Sequence, residues 1–507
     1  RIGAETTRPP HQRCPRPGCN KSALGEERIA ESRLYTLHRG VLPVFSTSTY
    51  CRGCSTRYYH NYSVQHAGRA NPQRTYYNEA VPDILDVTEH AFVERQLCIF
   101  FETQMAVAHC SAESIARIYN TGLARPVSSV TNTSWLGRDL LDSVVLDTFY
   151  LHALLRYKES VSETLVVPHN GSQRVRLDAA LDERNYFMAG TGQEMWSHFC
   201  SRCTKTWIDA DDGLTYIISA GVADGVTVGH PCCNVHNCKI RLATTQDRFC
   251  PTHVGKSLEC CIDGCTSPAG SGHLTCSLPA HRTWENDRNV KNVAMLQLGR
   301  RLARAGLPTS SQTNNPSTNN PNAPRGRVSR RWTHNEQLFV RCCGIIISRA
   351  TFYGAEGVVG HKEFLKTTFP PQFPRAMPSF IYYDNNCNLL KHLLASGDHY
   401  FDHVGLPIDI FHATNHHDDL FCTTHNSPAL FPELTDAEGK PVFNSSVAEQ
   451  TNAWFGGYQS IVREMSVPRY NFYLDEMIAL RNRFLVAELK KDGHAPSFHT
   501  DAFLRGL

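Results

Sequence analysis

Residues 232–281 read CCNVHNCKIRLATTQDRFCPTHVGKSLECCIDGCTSPAGSGHLTCSLPAH, and one pattern occurs in them twice. It runs Cys233-x4-Cys238-x11-Cys250-x2-His253, then Cys260-x4-Cys265-x10-Cys276-x4-His281. Each copy offers three thiolates and one imidazole, a closed tetrahedral sphere for Zn²⁺ with no position left for a substrate water. The zinc expected here is therefore structural. Disulfide pairing does not explain why a histidine recurs in register with the cysteines. Cys232 and Cys261 adjoin proposed ligands, so the ligating member of each Cys-Cys pair stays open by one position.

Working outward, Cys14-x4-Cys19 and Cys51-x2-Cys54 form two knuckles about thirty residues apart, which reads as a zinc ribbon. Alternation at Leu34, Thr36, Val41 and Val44 predicts short strands between them. Cys200-x2-Cys203, preceded by His198, is an isolated knuckle with no second pair at fixed distance, and is weak evidence for a metal. Near the C-terminus Cys387, His412, His416 (or His417) and Cys422 offer a CHHC set tying two strands together, the alternative being a polar hydrogen-bonded cluster. Zn²⁺ is thus expected at two to four structural sites.

The chain has 507 residues, 20% of them charged and 41% apolar, with mean hydropathy −0.35. That length suits two to four domains. No run approaches the roughly 20 apolar residues of a membrane span, so no membrane partner is expected. The first residue is Arg1, without a signal-peptide pattern after it, which reads as a fragment or a predicted reading frame. Twenty cysteines in metal-type spacings fit a reducing, intracellular setting. Net charge is only +3, yet Arg288 to Asn335 carries no acidic residue. Within it Arg300, Arg301, Arg304, Arg325, Arg327, Arg330 and Arg331 are candidates for nucleic-acid phosphates, the alternative being a solvated helix and tail.

Apolar periodicity predicts a helix from Leu136 to Tyr157 and a buried strand from Leu214 to Val222 that runs into Asp224-Gly225. Residues 308–324 form a Ser/Thr/Asn/Pro linker. Phe339 to Phe352 is strand-like, Ser379 to Tyr383 is a short strand ending at Asp384, and a helix follows it. Val447 to Met465 and Tyr470 to Lys491 are helical, the first bent at Gly456-Gly457. The expected division is 10–70 zinc ribbon, 80–200 mixed or helical scaffold, 205–230 first part of a core, 231–285 double zinc insertion, 286–335 basic helix and linker, and 336–490 the remainder of the core with C-terminal helices. The fold class expected is α+β or α/β.

A nuclease or transposase of the ribonuclease H type needs carboxylates that converge on two Mg²⁺ or Mn²⁺ ions, since hard cations select oxygen ligands. The acids come from a first sheet strand, the end of a later parallel strand and a following helix. Asp224, Asp384 and Glu449 fit those placements, with Asp209, Asp211, Asp212, Glu356 and Glu464 as rivals and Asp409 as a further carboxylate. An N-cap or solvated carboxylate is the alternative for any one of them.

Four stretches together resemble the blocks of the fungal Kyakuja, Dileera and Zisupton (KDZ) transposases: Val222-Ala-Asp-Gly-Val-Thr-Val-Gly229, Phe380-Ile-Tyr-Tyr-Asp-Asn-Asn-Cys387, Ile410-Phe-His412 with His416 and Cys422, and Asn444-Ser-Ser-Val-Ala-Glu-Gln-Thr-Asn452. The ribbon and the double CCCH set are similar to cysteine clusters that accompany those transposases. The resemblance implies a ribonuclease H-like core interrupted by a zinc-binding insertion, in keeping with the 160 positions between Asp224 and Asp384. It further implies DNA cleavage and strand joining with Asp224, Asp384 and Glu449 as the catalytic acids. This chain departs from the family where Tyr-Asp-Asn-Asn-Cys stands for the frequent Tyr-Asp-Ile-Ala-Cys, and no extended acidic block surrounds Glu449.

The expected function is a DNA transposase acting on transposon ends and target duplex in the nucleus, with zinc modules positioning DNA, Mg²⁺ or Mn²⁺ in catalysis, and homo-oligomerisation open. The alternative is a catalytically inactive, transposon-derived, zinc-dependent DNA or chromatin binder. A zinc-scaffolded ubiquitin ligase is disfavoured, because its ligand pairs would interleave whereas these run in sequence.

Overall fold

The structure, a computed structural model, describes residues 5–19, 23–66, 68, 70–77, 80–124, 139–208, 213–291, 324–326, 329–409 and 420–507. It is a mixed α/β chain with several cysteine-rich clusters, built on two sheets.

The N-terminal sheet has nine strands. Eight lie in the order Ile84–Thr88, Ala91–Glu94, Gly25–Thr36, Gly40–Cys51, Thr56–Tyr58, Tyr62–Gln65, Gln73–Tyr76 and Val166–Pro168, and Glu5–Thr7 pairs in parallel with Gly40–Cys51. The cysteine knuckles near the N-terminus therefore sit on a sheet that extends well past residue 70, not on a ribbon of short strands. The two central strands are 12 residues each. Only the inner end of the first is buried, at Leu34, Tyr35 and Thr36, while Glu26 to Glu31 face solvent. Apolar alternation registers the buried end and misses the charged one. Helix Asp142–Ser160 packs beneath this sheet and is buried on nearly all sides by Val145, Phe149, Tyr150, Leu151 and Leu154. Leu136, the expected start of that helix, lies outside the described residues.

The second sheet carries the chemistry. Its strands are β1 (Thr204–Ile208), β2 (Thr215–Val226), β3 (Asn335–Arg341), β4 (Ile346–Phe352) and β5 (Phe380–Tyr382). β2 runs antiparallel to β1 and β3, and β3 antiparallel to β4. On the opposite side from β3, β5 pairs with β2 in parallel, Val222 facing Tyr382. Beyond β5, residues 405–407 continue the sheet in parallel, with Ile381 N–H donating to the Gly405 carbonyl at 2.9 Å. The order is thus β4-β3-β2-β5 and then 405–407. The first half of β2 differs from expectation: Tyr216 and Ile217 are exposed, because that half is paired with β1 beyond the reach of the core.

Four helices flank this sheet: α1 (Val358–Thr368) between β4 and β5, α2 (Asn386–Ser396) after β5, α3 (Val447–Gly456) against β2, and α4 (Val467–Lys491). α4 has 25 residues and is buried almost all round from Tyr470 to Leu480, the pattern of a central helix. Its two buried acids are paired. Asp475 accepts from Arg349 Nε at 2.9 Å, and Glu476 pairs with Arg184 at 2.9 Å and with Arg156. Arg349 also meets Glu336 on β3, which accepts from the Tyr470 hydroxyl at 2.8 Å, so α4, β3 and β4 share one buried ionic network. The zinc pair falls between β2 and β3, whose ends meet at Val226 and Glu336. Among the described residues no helix is long and apolar enough to cross a membrane.

Candidate functional site

Three of the sulfur-rich sets read from the sequence close up in space: Cys14, Cys19, Cys51 and Cys54; Cys233, Cys238, Cys250 and His253; and Cys260, Cys265, Cys276 and His281. In each, the ligand atoms all lie within 4.8 Å of one another. Zinc held by sulfur at about 2.3 Å and imidazole nitrogen at about 2.0 Å has tetrahedral edges of about 3.8 Å between sulfurs and about 3.5 Å from sulfur to nitrogen. The observed edges match. Sulfur pairs stand 3.6 Å (Cys14–Cys54), 3.7 Å (Cys19–Cys51), 3.8 Å (Cys238–Cys250) and 3.9 Å (Cys265–Cys276) apart. Cys233 lies 3.6 Å from His253 Nδ1, and Cys260 lies 3.4 Å from His281 Nδ1. None of these cysteines is in a disulfide. The donor sets suit Zn²⁺.

The choice within each Cys-Cys pair is now visible. Cys232 instead occupies a two-residue strand paired with Arg331–Trp332, and burial pushes its thiol up to about 11. Cys261 is not in the neighbouring ligand set, and its backbone N–H donates to the Leu274 carbonyl at 2.8 Å. The CHHC set is only partly in view: Cys387 and Cys422 are buried against Ile408, while His412 and His416 lie outside the described residues.

Two of the proposed catalytic acids follow adjacent strands of the second sheet, and the third lies on a helix packed against it. Asp224 stands two residues past Val222 on β2, and Asp384 two residues past Tyr382 on β5, so both follow the same rung of a parallel ladder. α3 packs on β2, and its Asn452 donates from Nδ2 to Asp224 Oδ2 at 2.7 Å. Glu449 lies one turn earlier on α3 and is exposed. Asp224 Oδ1 accepts the Gly225 N–H at 2.7 Å. The three carboxylates are not drawn within 4.8 Å of one another; among the described residues the sets that meet that measure consist of cysteine and histidine.

Glu356, a rival for the third place in the sequence reading, belongs to this neighbourhood. Its Oε2 accepts from Asn335 Nδ2 at 2.7 Å and its Oε1 from the Tyr383 hydroxyl at 3.3 Å. A Cβ on Gly225 would stand 2.3 Å from Asn335 Nδ2, 2.5 Å from Gln337 Nε2 and 2.9 Å from Glu356 Oε2, so any side chain there must displace these three side-chain ends. Around this point buried polar atoms lack hydrogen-bond partners among the described residues: both side-chain heteroatoms of Gln337, Asn335 Oδ1 and Asn452 Oδ1. Buried polar atoms left so are costly; the amide oxygens among them could accept from a water or face a cation, whereas the Gln337 amide nitrogen can only donate. His361 on α1 stacks on Tyr383 with centroids 3.6 Å apart, and burial lowers its pKa to about 3, holding it neutral. Asp409 is buried just past the 405–407 segment.

The departure at Asn386 has a local reason. Its Nδ2 donates to the Ile381 carbonyl at 2.8 Å and the Pro407 carbonyl at 2.7 Å, bridging two parallel strands. Of the basic candidates, Arg300, Arg301, Arg304 and Arg327 lie outside the described residues, and Arg325 is exposed. Arg330 forms a bidentate pair with Glu464 at 2.8 and 3.0 Å, and Arg331 donates to the Tyr353 carbonyl at 3.1 Å. Both already hold the insertion to the core. The guanidinium groups of Arg330 and Arg463 stand over the Trp332 ring, 5.2 and 4.8 Å from its centroid, and Tyr458 is fully buried, so neither presents a bare ring for base stacking.

Two parts of the chain match known family models. Residues 2–123 match the family described as CxC5 like cysteine cluster associated with KDZ transposases. Residues 222–287 match CxC6 like cysteine cluster associated with KDZ transposases. The chain carries two cysteine clusters of the kind associated with KDZ transposases. No curated protein and no solved structure matches the chain.

Proposed function

We propose that the chain is a DNA transposase of the KDZ type whose second sheet is a ribonuclease H-like core. The observation that carries this reading is the placement of Asp224 and Asp384 after one rung of adjacent parallel strands, with the helix bearing Glu449 bonded to Asp224 through Asn452. The strand order supports it: three antiparallel strands, then two parallel to the first, is the order a ribonuclease H-like core uses. Both cysteine-cluster matches support it independently.

Asp224, Asp384 and Glu449 would hold Mg²⁺ or Mn²⁺, which supplies a Lewis acid for phosphodiester cleavage and strand transfer. Asn452 orients the Asp224 carboxylate, and Glu356 adds negative charge next to Gly225. Gln337 and Asn335 set polar atoms beside Gly225 that have no protein partner among the described residues. The zinc clusters hold their loops in shape and, with arginines of the basic segment, position duplex DNA. A nuclear location is part of the same proposal, since the substrate would be chromosomal DNA.

The alternative, a DNA or chromatin binder without catalysis, draws on one observation, the spread of the three carboxylates beyond 4.8 Å. Nicking of supercoiled DNA by the purified chain under Mg²⁺ or Mn²⁺, with Asp384→Ala as control, separates the two. Metal-dependent nicking that vanishes in the variant supports the transposase. Equal inactivity of both proteins, with DNA binding retained in both, establishes the binder.

A further inference from the structure

The isolated knuckle at Cys200 and Cys203 acquires partners that no spacing rule would have found. His198, Cys200, Cys203 and Cys343 bring their ligand atoms within 4.8 Å of one another, and all four residues are buried. Cys200 and Cys203 sulfurs stand 3.6 Å apart, and Cys343 Sγ lies 3.4 Å from His198 Nε2. These are again the edges of a tetrahedron around zinc. The N–H groups of Cys203 and Thr204 both donate to the Cys200 carbonyl, at 3.1 and 3.0 Å, folding the Cys-x2-Cys turn that aims two sulfurs at one point. Cys343 comes from the tip of the β3–β4 hairpin, where Gly344 takes φ +96° to close the turn. We propose that these four residues bind a further structural Zn²⁺, at a site outside both matched cysteine clusters.

The site joins segments far apart in sequence. His198–Phe199 pairs with Ser497–Phe498, and Ser201 N–H donates to the His494 carbonyl at 3.1 Å. One ion would thus clamp the hairpin tip of the core sheet, the segment leading into β1 and, through that short ladder, the chain after α4.

The test is zinc content of the purified full chain by native mass spectrometry, with alkylation of Cys200, Cys203 and Cys343 followed by peptide mapping. Cys343→Ser should hold one zinc fewer than wild type, whatever the wild-type total, whereas Cys342→Ser should hold the same number. His198→Cys, which keeps four ligands, should hold the wild-type number. In the wild-type chain, stripping zinc should make the three thiols react together. Equal zinc content in Cys343→Ser and wild type, or thiols whose reactivity does not change when zinc is removed, would overturn the site; the wild-type labelling decides even if the variants fail to fold.

Discussion

Asn452 Nδ2 lies 2.7 Å from Asp224 Oδ2, joining two residues 228 positions apart. A hydrogen bond to a charged group contributes about 1.5–3 kcal/mol, and this one fixes an acid of the proposed pocket against the helix carrying another. Asn452→Ala is expected to slow metal-dependent DNA nicking by about ten- to a hundredfold, with DNA affinity little changed. Single-turnover nicking across a Mg²⁺ titration, beside a binding isotherm, checks this; unaltered nicking removes Asn452 from the pocket.

Gly225→Ala is expected to impair the same activity for a steric reason. Its new Cβ would stand 2.3 Å from Asn335 Nδ2 and 2.5 Å from Gln337 Nε2, and must displace both amides. The measurement is again nicking rate, with a thermal melt to show that the sheet survives. Full activity would mean that the amide lining does not matter.

Arg349→Met tests the buried network. Glu336 and Asp475 would each lose a guanidinium partner at a site closed to water. Breaking a buried pair from one side costs about 3–5 kcal/mol. The midpoint of chemical denaturation should fall accordingly, and a loss below about 1 kcal/mol would show that the acids find other partners.

His361 makes stability pH-dependent. Burial places its folded pKa at about 3, against about 6.5 in the unfolded chain. Between those values the unfolded state binds the extra proton, so stability rises with pH. The contribution is complete above about pH 6.5 and is lost as pH falls toward 3. His361→Phe keeps an aromatic face for Tyr383 and should flatten that acid limb by up to about 1.4 kcal/mol per pH unit. Denaturation series from pH 4 to 8 read the difference; identical slopes would remove His361 as the cause.

His281→Ala should release one zinc per chain and weaken DNA binding, while the nicking rate at saturating DNA stays within about twofold, because a closed zinc sphere does no chemistry. Metal analysis and a DNA titration of the rate check both halves. A collapse of the saturated rate would mean that the insertion shapes the pocket itself.

The extent to which the sequence foretold this structure varies with the range of the interaction. The CCCH sets were legible because their ligands are local, and spacing encodes a tetrahedron directly. The strand ending at Asp384 and the helices flanking it were legible from apolar period. Cys343 was not, since 140 positions separate it from Cys203 and only strand pairing brings them together. The long N-terminal strands were also hidden, as their outer halves are charged and lack the alternation that marks a buried face. Glu356 was visible only as one acid among many, until its bonds to Asn335 and Tyr383 gave it a place.

Val226 and Glu336 face each other across one ladder, although the double zinc module is threaded between them. Departure and return points so close together let a loop be lengthened, swapped or pared back with little strain on the scaffold that bears it. A sheet with such a port can carry a different insert while its own strands stay in register.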